Sequence, residues 1–344
     1  RRFNERRKQK INRSLPRAAV FVTVSIGKLT AGVAKFALFI ARCGGPVWRK
    51  RIRNGRRCMF CRRKKGCAEP APVQLNSALI RFCKLLNLGD PNMSATEKSE
   101  LWIVTGAASG IGAAVVRAVA NSRAQILALD VDRPKGSALA AETGALYRYL
   151  DVGDLGQWQR LVDYLESEKA ALGSPSHIHL NAGIQVAPPD APLSDYQLEA
   201  VTLERYRRMM SVNVDGVVFG LQTLVPLLSA GATIVVTASL AGVTPYAVDP
   251  IYAMSKHAIV GLVRSLAPEL AMQGISIHAL CPGAVDTAII PHAQKTEDAK
   301  FMTPEDLAGD VIELMSEPES GKSWVRLRAD KPRYVIRAPG DKTV

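Results

Sequence analysis

From Leu101 onward, short apolar runs alternate with longer stretches whose apolar residues recur every three to four positions. The runs are LWIVT (101–105), QILALD (125–130), ALYRYL (145–150), SHIHL (176–180), ATIVVTA (232–238) and ISIHAL (275–280). Each is short and rich in aliphatic or β-branched residues, which predicts strands. The stretches near 111–121, 133–143, 154–172, 202–229, 251–272 and 304–316 have helical spacing. Several runs are apolar without a break, so both of their faces are expected to be covered, as in a parallel sheet. Strand–helix alternation at this spacing predicts an α/β domain: a single doubly wound parallel sheet with helices on both faces. The tail SGKSWVRLRADKPRYVIRAPGDKTV is expected to supply a last strand.

Composition changes near Met93. Residues 1–92 hold 23 Lys and Arg against 3 Asp and Glu, whereas the rest of the chain holds 22 against 28. The net charge of +14 therefore belongs to the N-terminal segment and does not mark the remainder as a binder of anionic polymers. We expect a working domain over 93–344, because MSATEKSELWIVTG reads as a natural start. Residues 1–92 are expected to be a basic, poorly ordered extension outside the working protein. Within them, 18–41 is long enough to span a bilayer but contains Lys28 and Lys35. The Arg-rich, acid-poor composition also fits an organelle-targeting lead. Cys58, Cys61 and Cys67, with Cys43 upstream, form a fragment of a zinc pattern without a clean second pair, so no metal is expected. RKRIRNGRRC is basic but has no reading module behind it, so no specific nucleic-acid partner is expected. The second part has one cysteine, Cys281, which fits a reducing, cytoplasmic setting.

TGAASGIG follows the first predicted strand and opens the first helix. A turn this tight needs residues without Cβ, so that backbone N–H groups can approach a pyrophosphate at the helix's positive end. Thr105, Gly106, Ser109, Gly110, Ile111 and Gly112 are the candidate contacts. Asp130 ends the second strand, 24 residues beyond Gly106. A carboxylate there can accept from adenosine ribose hydroxyls and repels a 2′-phosphate. No Arg or Lys lies in the turn and Val131 follows the acid, so NAD is expected over NADP, although Arg133 is near. Asp151 and Val152 end the third strand, and Asn181, Ala182 and Gly183 end the fourth. Both groups lie where open parallel sheets bind ligands, although Asp151 also suits a helix cap and Asn181 a polar turn.

The pieces TGAASGIG, NAG, SVNVDG, TASLAG, YAMSK and PGAVDT occur in the order found in the short-chain dehydrogenase/reductase family, which residues 101–290 resemble. The spacing is G-x-x-x-G-x-G rather than the more familiar G-x-G-x-x-G. The resemblance implies a Rossmann-type fold, a nicotinamide cofactor and a catalytic set of Asn213, Ser239, Tyr252 and Lys256. Tyr252 and Lys256 stand at i and i+4 on one helix face. A free phenol titrates near 10, too high for a base at neutrality. The neighbouring ammonium and an oxidised nicotinamide are both expected to favour phenolate, making Tyr252 the general acid/base. Lys256 is implied to hold the nicotinamide ribose as well, and Ser239 the substrate oxygen. Asn213 is implied to hold a water relaying protons to Lys256, by way of a distortion in its helix; a buried Asn satisfying backbone groups is the competing reading. Pro282, Gly283, Val285 and Thr287 are implied to form the turn at the nicotinamide.

The expected activity is interconversion of a secondary alcohol and a ketone. An NAD-dependent epimerase, or a non-catalytic NAD-binding protein localised by its basic arm, are the alternatives. The loops 184–201 and 288–304 are expected to border the small-molecule substrate, the second as a lid. Val217, Val218, Leu221, Val260, Leu262, Val263 and Leu266 widen the apolar faces of two helices. Relatives often pair these helices, so a homo-oligomer, tetramer or dimer, is expected; an ordinary core face is the competing reading.

Overall fold

The computed structural model describes residues 100–122 and 124–337. The expectations for residues 1–92 lie outside the described residues. The elements are β1 (Leu101–Thr105), α1 (Gly110–Ala120), β2 (Gln125–Asp130), α2 (Arg133–Thr143), β3 (Leu146–Tyr149), α3 (Leu155–Ser167) and α4 (Lys169–Leu172). They continue with β4 (Pro175–Leu180), α5 (Leu203–Met210), α6 (Gly216–Leu224), β5 (Thr233–Thr237), α7 (Pro250–Met272), β6 (Ser276–Pro282), α8 (Pro304–Leu314), β7 (Ser323–Arg326) and β8 (Tyr334–Ile336).

The strands form one sheet in the order β3-β2-β1-β4-β5-β6-β7-β8. All neighbours are parallel except β7 and β8. Alternate residues of each strand enter different cores, as the pleat requires. Leu101 and Ile103 join Trp158, Leu221 and Val263 under one helical layer, while Trp102 and Val104 join Val115, Leu307 and Val311 under the other. The unbroken apolar runs are thus explained by burial on both faces. β3, at the sheet edge, is the exception and is largely exposed.

Two predicted helices are subdivided. The 154–172 stretch breaks at Glu168 into α3 and α4. The 202–229 stretch is interrupted by a π-helical turn over Ser211–Asp215, between α5 and α6. Of the seven apolar positions noted on α6 and α7, Val217, Leu221, Val260 and Val263 belong to the core, and Val218 is 38% exposed.

The tail supplies two strands rather than one. Arg333, just before β8, pairs with Asp310 at 3.2 Å and with Glu313, both on α8. Arg326 on β7 also approaches Asp310, at 3.6 Å. Part of the tail's basic charge is therefore matched within the domain.

Because β1 lies between β2 and β4, the chain winds outward in both directions from the β1/β4 pair. The helices and loops leaving the two strands diverge there, opening a crevice at their carboxyl ends.

Candidate active site

The crevice is a cleft of about 1540 Å³, large enough for a dinucleotide and a small substrate together. Its floor begins with the glycine turn. Gly106 has φ 62° and Gly110 φ 52°, in the left-handed region that favours glycine. A Cβ on Gly106 would lie 2.8 Å from the Ala182 Cα, and one on Gly112 only 2.2 Å from the Gly106 carbonyl oxygen. The cradle is thus shaped by the absence of side chains. α1 begins at Gly110 with its N-terminus at the turn, and the Ser109 side chain makes no capping bond.

Gly112→Ala is therefore expected to force the turn apart, because the obstructing atom is backbone. Overpacking of this kind costs about 1–3 kcal/mol. Urea unfolding should show that loss, and NADH fluorescence titration should show weakened binding; unchanged values in both would contradict the close packing.

Asp130 is held by two backbone donors. Ala108 N–H donates to its Oδ2 at 2.8 Å and Asp132 N–H to its Oδ1 at 2.9 Å. The carboxylate is thus tied to the glycine turn and fixed at the cleft wall beside Val131. Arg133 is engaged elsewhere, its guanidinium 4.2 Å from the centroid of the Tyr149 ring.

The β1/β4 junction is stapled by polar side chains. Asn181 and Ala182 N–H groups both donate to the Thr105 hydroxyl, at 2.9 and 3.2 Å. Asn181 Nδ2 donates to the Thr105 and Gly106 carbonyls, each at 3.3 Å, and Oδ1 accepts from the Thr237 hydroxyl at 3.0 Å. That hydroxyl also meets His179 Nε2 at 2.8 Å. With the Thr237 proton spent on Asn181, the imidazole must be the donor of this contact. His179 is fully buried, and burial pulls its imidazole down to about 3, which keeps it neutral.

Asp151 caps its own turn by accepting from Gly153 N–H at 3.0 Å. Beside it, the Val152 carbonyl accepts from the Trp158 indole at 2.9 Å. Asp151, Val152, Ala182 and Gly183 line the cleft, as do Pro282, Gly283, Val285 and Thr287 on the far side of β6. Gly283 is needed for close approach, since a Cβ there would lie 2.6 Å from the Leu327 carbonyl oxygen. Thr105, Gly112 and Asn213 stand behind the cleft wall rather than in it.

Tyr252 and Lys256 lie in the first two turns of α7. That helix is started by Asp249, followed by Pro250 at the first helical position. Asp249 is fully buried. Its Oδ1 accepts from Tyr252 N–H at 2.8 Å and its Oδ2 from Val186 N–H at 2.9 Å. It therefore ties the helix start to the loop after β4. Sequence reasoning passed it over, although Asp-Pro ahead of an apolar helix is a readable start signal.

Lys256 Nζ donates to the Thr237 carbonyl at 2.9 Å and lies 5.7 Å from the Tyr252 ring centroid. Both side chains are buried but reach the cleft. Burial dominates their titration. It pushes the Tyr252 phenol well above its usual range, an effect partly offset by the adjacent Ser239 hydroxyl. It pulls the Lys256 ammonium down to about 8. Desolvation thus dominates the phenol, and no lowering by the Lys256 ammonium accompanies it. Ser239, at the end of β5, is in extended conformation, and its hydroxyl accepts from Ala241 N–H at 3.1 Å.

Asn213 is fully buried within the π turn. Its Oδ1 accepts from Ile184 N–H at 2.8 Å, and its Nδ2 donates to the Ile184 carbonyl at 2.8 Å and to Ser255 Oγ at 3.1 Å. The expected helix distortion is present. The side chain itself is taken up by the Ile184 backbone and the Ser255 hydroxyl.

The sequence model of the family described as short chain dehydrogenase matches residues 100–298. The 2,5-dichloro-2,5-cyclohexadiene-1,4-diol dehydrogenase of Sphingobium indicum is 30% identical over 243 residues, covering 66% of this chain and 94% of that protein. The 3-alpha-(or 20-beta)-hydroxysteroid dehydrogenase of Mycobacterium tuberculosis is 30% identical over 251 residues, covering 72% and 88%. Among solved structures, 3-ketoacyl-(acyl-carrier-protein) reductase from Brucella melitensis, complexed with NADH, superposes with a TM-score of 0.57 at 25% identity, over 67% of this chain and 96% of that one. With the glycine turn, the switch-point cleft and the Ser239, Tyr252 and Lys256 cluster all in place, this chain belongs to the short-chain dehydrogenase family.

Proposed function

We propose that the protein is an NAD-dependent dehydrogenase/reductase that interconverts a secondary alcohol and a ketone, with Tyr252 as the proton-transfer group. The observation that carries this is the burial of Tyr252 and Lys256 on one helix face, opening beside Ser239 into a cleft with a glycine cradle at its other end. The names of the relatives, which are dehydrogenases and reductases, support the same reading.

The residues present fit a nicotinamide dinucleotide. The side-chain-free cradle at Gly106, Gly110 and Gly112 would hold the pyrophosphate, Asp130 the adenosine ribose, and Lys256 the nicotinamide ribose. Val285 and Thr287 would border the nicotinamide. When bound, that cofactor supplies the acceptor or donor of hydride for alcohol–ketone exchange. The chain's own residues handle the oxygen and the proton. Ser239 hydrogen-bonds the substrate oxygen as its charge changes. Tyr252 takes the hydroxyl proton in oxidation and returns it in reduction. Asn213 holds the Ile184 backbone and, through it, the wall beside Lys256.

NAD over NADP is favoured by the fixed Asp130 carboxylate and by the engagement of Arg133 with Tyr149. A panel of secondary alcohols assayed with each cofactor tests both parts of the reading. Net NADH formation is expected, with NAD preferred by on the order of 10²-fold in kcat/KM. Asp130→Asn keeps the size of the side chain and removes its charge, and should reduce that preference at least about tenfold. Preference for NADP in the wild type would overturn the cofactor assignment. Product formation without net NADH would overturn the dehydrogenase assignment.

A further inference from the structure

Residues 184–189, in the loop after β4, form neither helix nor strand and line the cleft. Val186 and Ala187 pack in one cluster with Tyr252, so the loop adjoins the reactive phenol. Backbone without a ladder of its own takes its shape from the groups that bind it. Two buried side chains do so here. Asn213 holds the N–H and the carbonyl of Ile184, each at 2.8 Å, and Asp249 accepts from the Val186 N–H at 2.9 Å. The expected lid leans on the same loop. Gln185 Nε2 donates to the Ile289 carbonyl at 3.1 Å, and the His292 N–H donates to the Pro189 carbonyl at 2.7 Å. Whatever sets the position of Val186 therefore bears on both loops that border the substrate end of the cleft.

Asp249 is the hold that also reaches the reactive helix. Its Oδ1 accepts from the Tyr252 N–H at 2.8 Å, so one side chain receives two donors from two elements. A helix cap alone would not require a charge, since Ser or Asn serves as well. Two donors on two oxygens do require it. Asn would turn its NH₂ toward one of them, and a Ser hydroxyl offers one oxygen for both. The charge is costly in this place: Asp249 is 0% exposed, and burial holds its carboxyl above the usual range. Among the described residues no cation works against that rise; the backbone N–H groups of Val186, Tyr252 and Ile251 do. The carboxylate is thus kept for its backbone contacts.

We propose that Asp249 is a positioning residue for the reaction: it fixes the substrate-bordering loops relative to Tyr252, and alcohol affinity depends on its second oxygen. This rests on the dehydrogenase reading and adds the residue that sets where the substrate lies. The reacting groups keep their own supports when that oxygen is lost. Lys256 remains bonded to the Thr237 carbonyl, and the Ser239 hydroxyl to the Ala241 N–H. The loss falls on Val186 and on the lid that its loop carries.

Asp249→Asn and Asp249→Ser both retain a cap for α7 and remove the second acceptor. With an alcohol that the wild type oxidises, each should raise KM by about tenfold and leave kcat within about threefold of the wild-type value. NADH affinity should be unchanged, because the glycine cradle lies at the other end of the cleft. Hydrogen exchange followed by mass spectrometry should show faster exchange at residues 184–187, with the start of α7 at residues 251–256 as protected as in the wild type. A KM that neither variant changes would overturn the proposal, and so would a loss carried by kcat alone. Exchange that is unchanged, or that rises equally in the two segments, would overturn it as well. If the wild type oxidises no alcohol, the dehydrogenase reading fails, and hydrogen exchange alone judges Asp249. Faster exchange confined to 184–187 upholds the tie, and any other pattern overturns it.

Discussion

Tyr252→Phe lowers kcat for alcohol oxidation by about 10²–10⁴-fold, the usual contribution of a positioned acid or base. The ring is buried against Tyr246 and Ala253, and Phe keeps that packing. Its hydroxyl adjoins Ser239 at the cleft, whereas the N-terminal turn of α7 is held by the backbone N–H of Tyr252 on Asp249, which the substitution leaves intact. The loss should therefore appear in turnover, with thermal stability unchanged or slightly improved and with NADH still bound. Stopped-flow turnover, thermal unfolding and NADH fluorescence together make the check. A variant that retains most of the wild-type rate would remove Tyr252 from proton transfer. A variant that loses NADH binding would make its role one of cofactor positioning.

The direction of the burial effect also says why the site needs more than this one residue. A phenol raised by desolvation is less readily ionised to the phenolate that accepts a proton than a phenol in water. The Ser239 hydroxyl works against that rise, and the same burial makes the Lys256 ammonium easier to deprotonate.

Much of the domain was legible in the sequence because its strands are uninterrupted apolar runs and its glycines have steric reasons. LWIVT and QILALD coincide with β1 and β2 residue for residue. The acid at the end of β2 and the Tyr-x-x-x-Lys pair fall where elementary geometry puts them, at a strand's carboxyl end and on one helix face. What could not be read follows from tertiary contact. The apolar pattern of 202–229 runs straight through the π turn, because one extra residue per turn hardly disturbs a helical period. The turn becomes visible only when the Asn213 side chain is seen to be bound to Ile184. The second tail strand depends on Arg333 finding Asp310 and Glu313 on a helix far away in sequence.

Lys256→Met is expected to separate the site's function from its stability, and pH is the variable that shows it. Lys256 is 2% exposed, and burial pulls its ammonium from 10.5 to about 8. Between those values the unfolded lysine still holds a proton that the folded one has released. The unfolded chain then binds more protons, so stability rises with pH across this window. Below pH 8 both states are protonated, and the cost of burying the charge is felt in full, about 3 kcal/mol. Tyr252 acts in the opposite sense above pH 10, because its folded phenol keeps a proton that the unfolded one loses. Burial also pushes the Cys281 thiol from 9 up to about 11, so it acts in that same sense above pH 9; both groups are present in wild type and variant, and the difference between the two reports Lys256. Met fills similar volume without charge, but leaves the Thr237 carbonyl without its donor, at about 1 kcal/mol. Urea denaturation at pH 7 should accordingly find Lys256→Met inactive yet more stable than the wild type by about 1–2 kcal/mol. That advantage should shrink to nothing or reverse by pH 10, as the wild-type amine becomes neutral. A stability difference that stays flat from pH 7 to 10 would mean that the ammonium is not held at a cost and that burial does not depress Lys256.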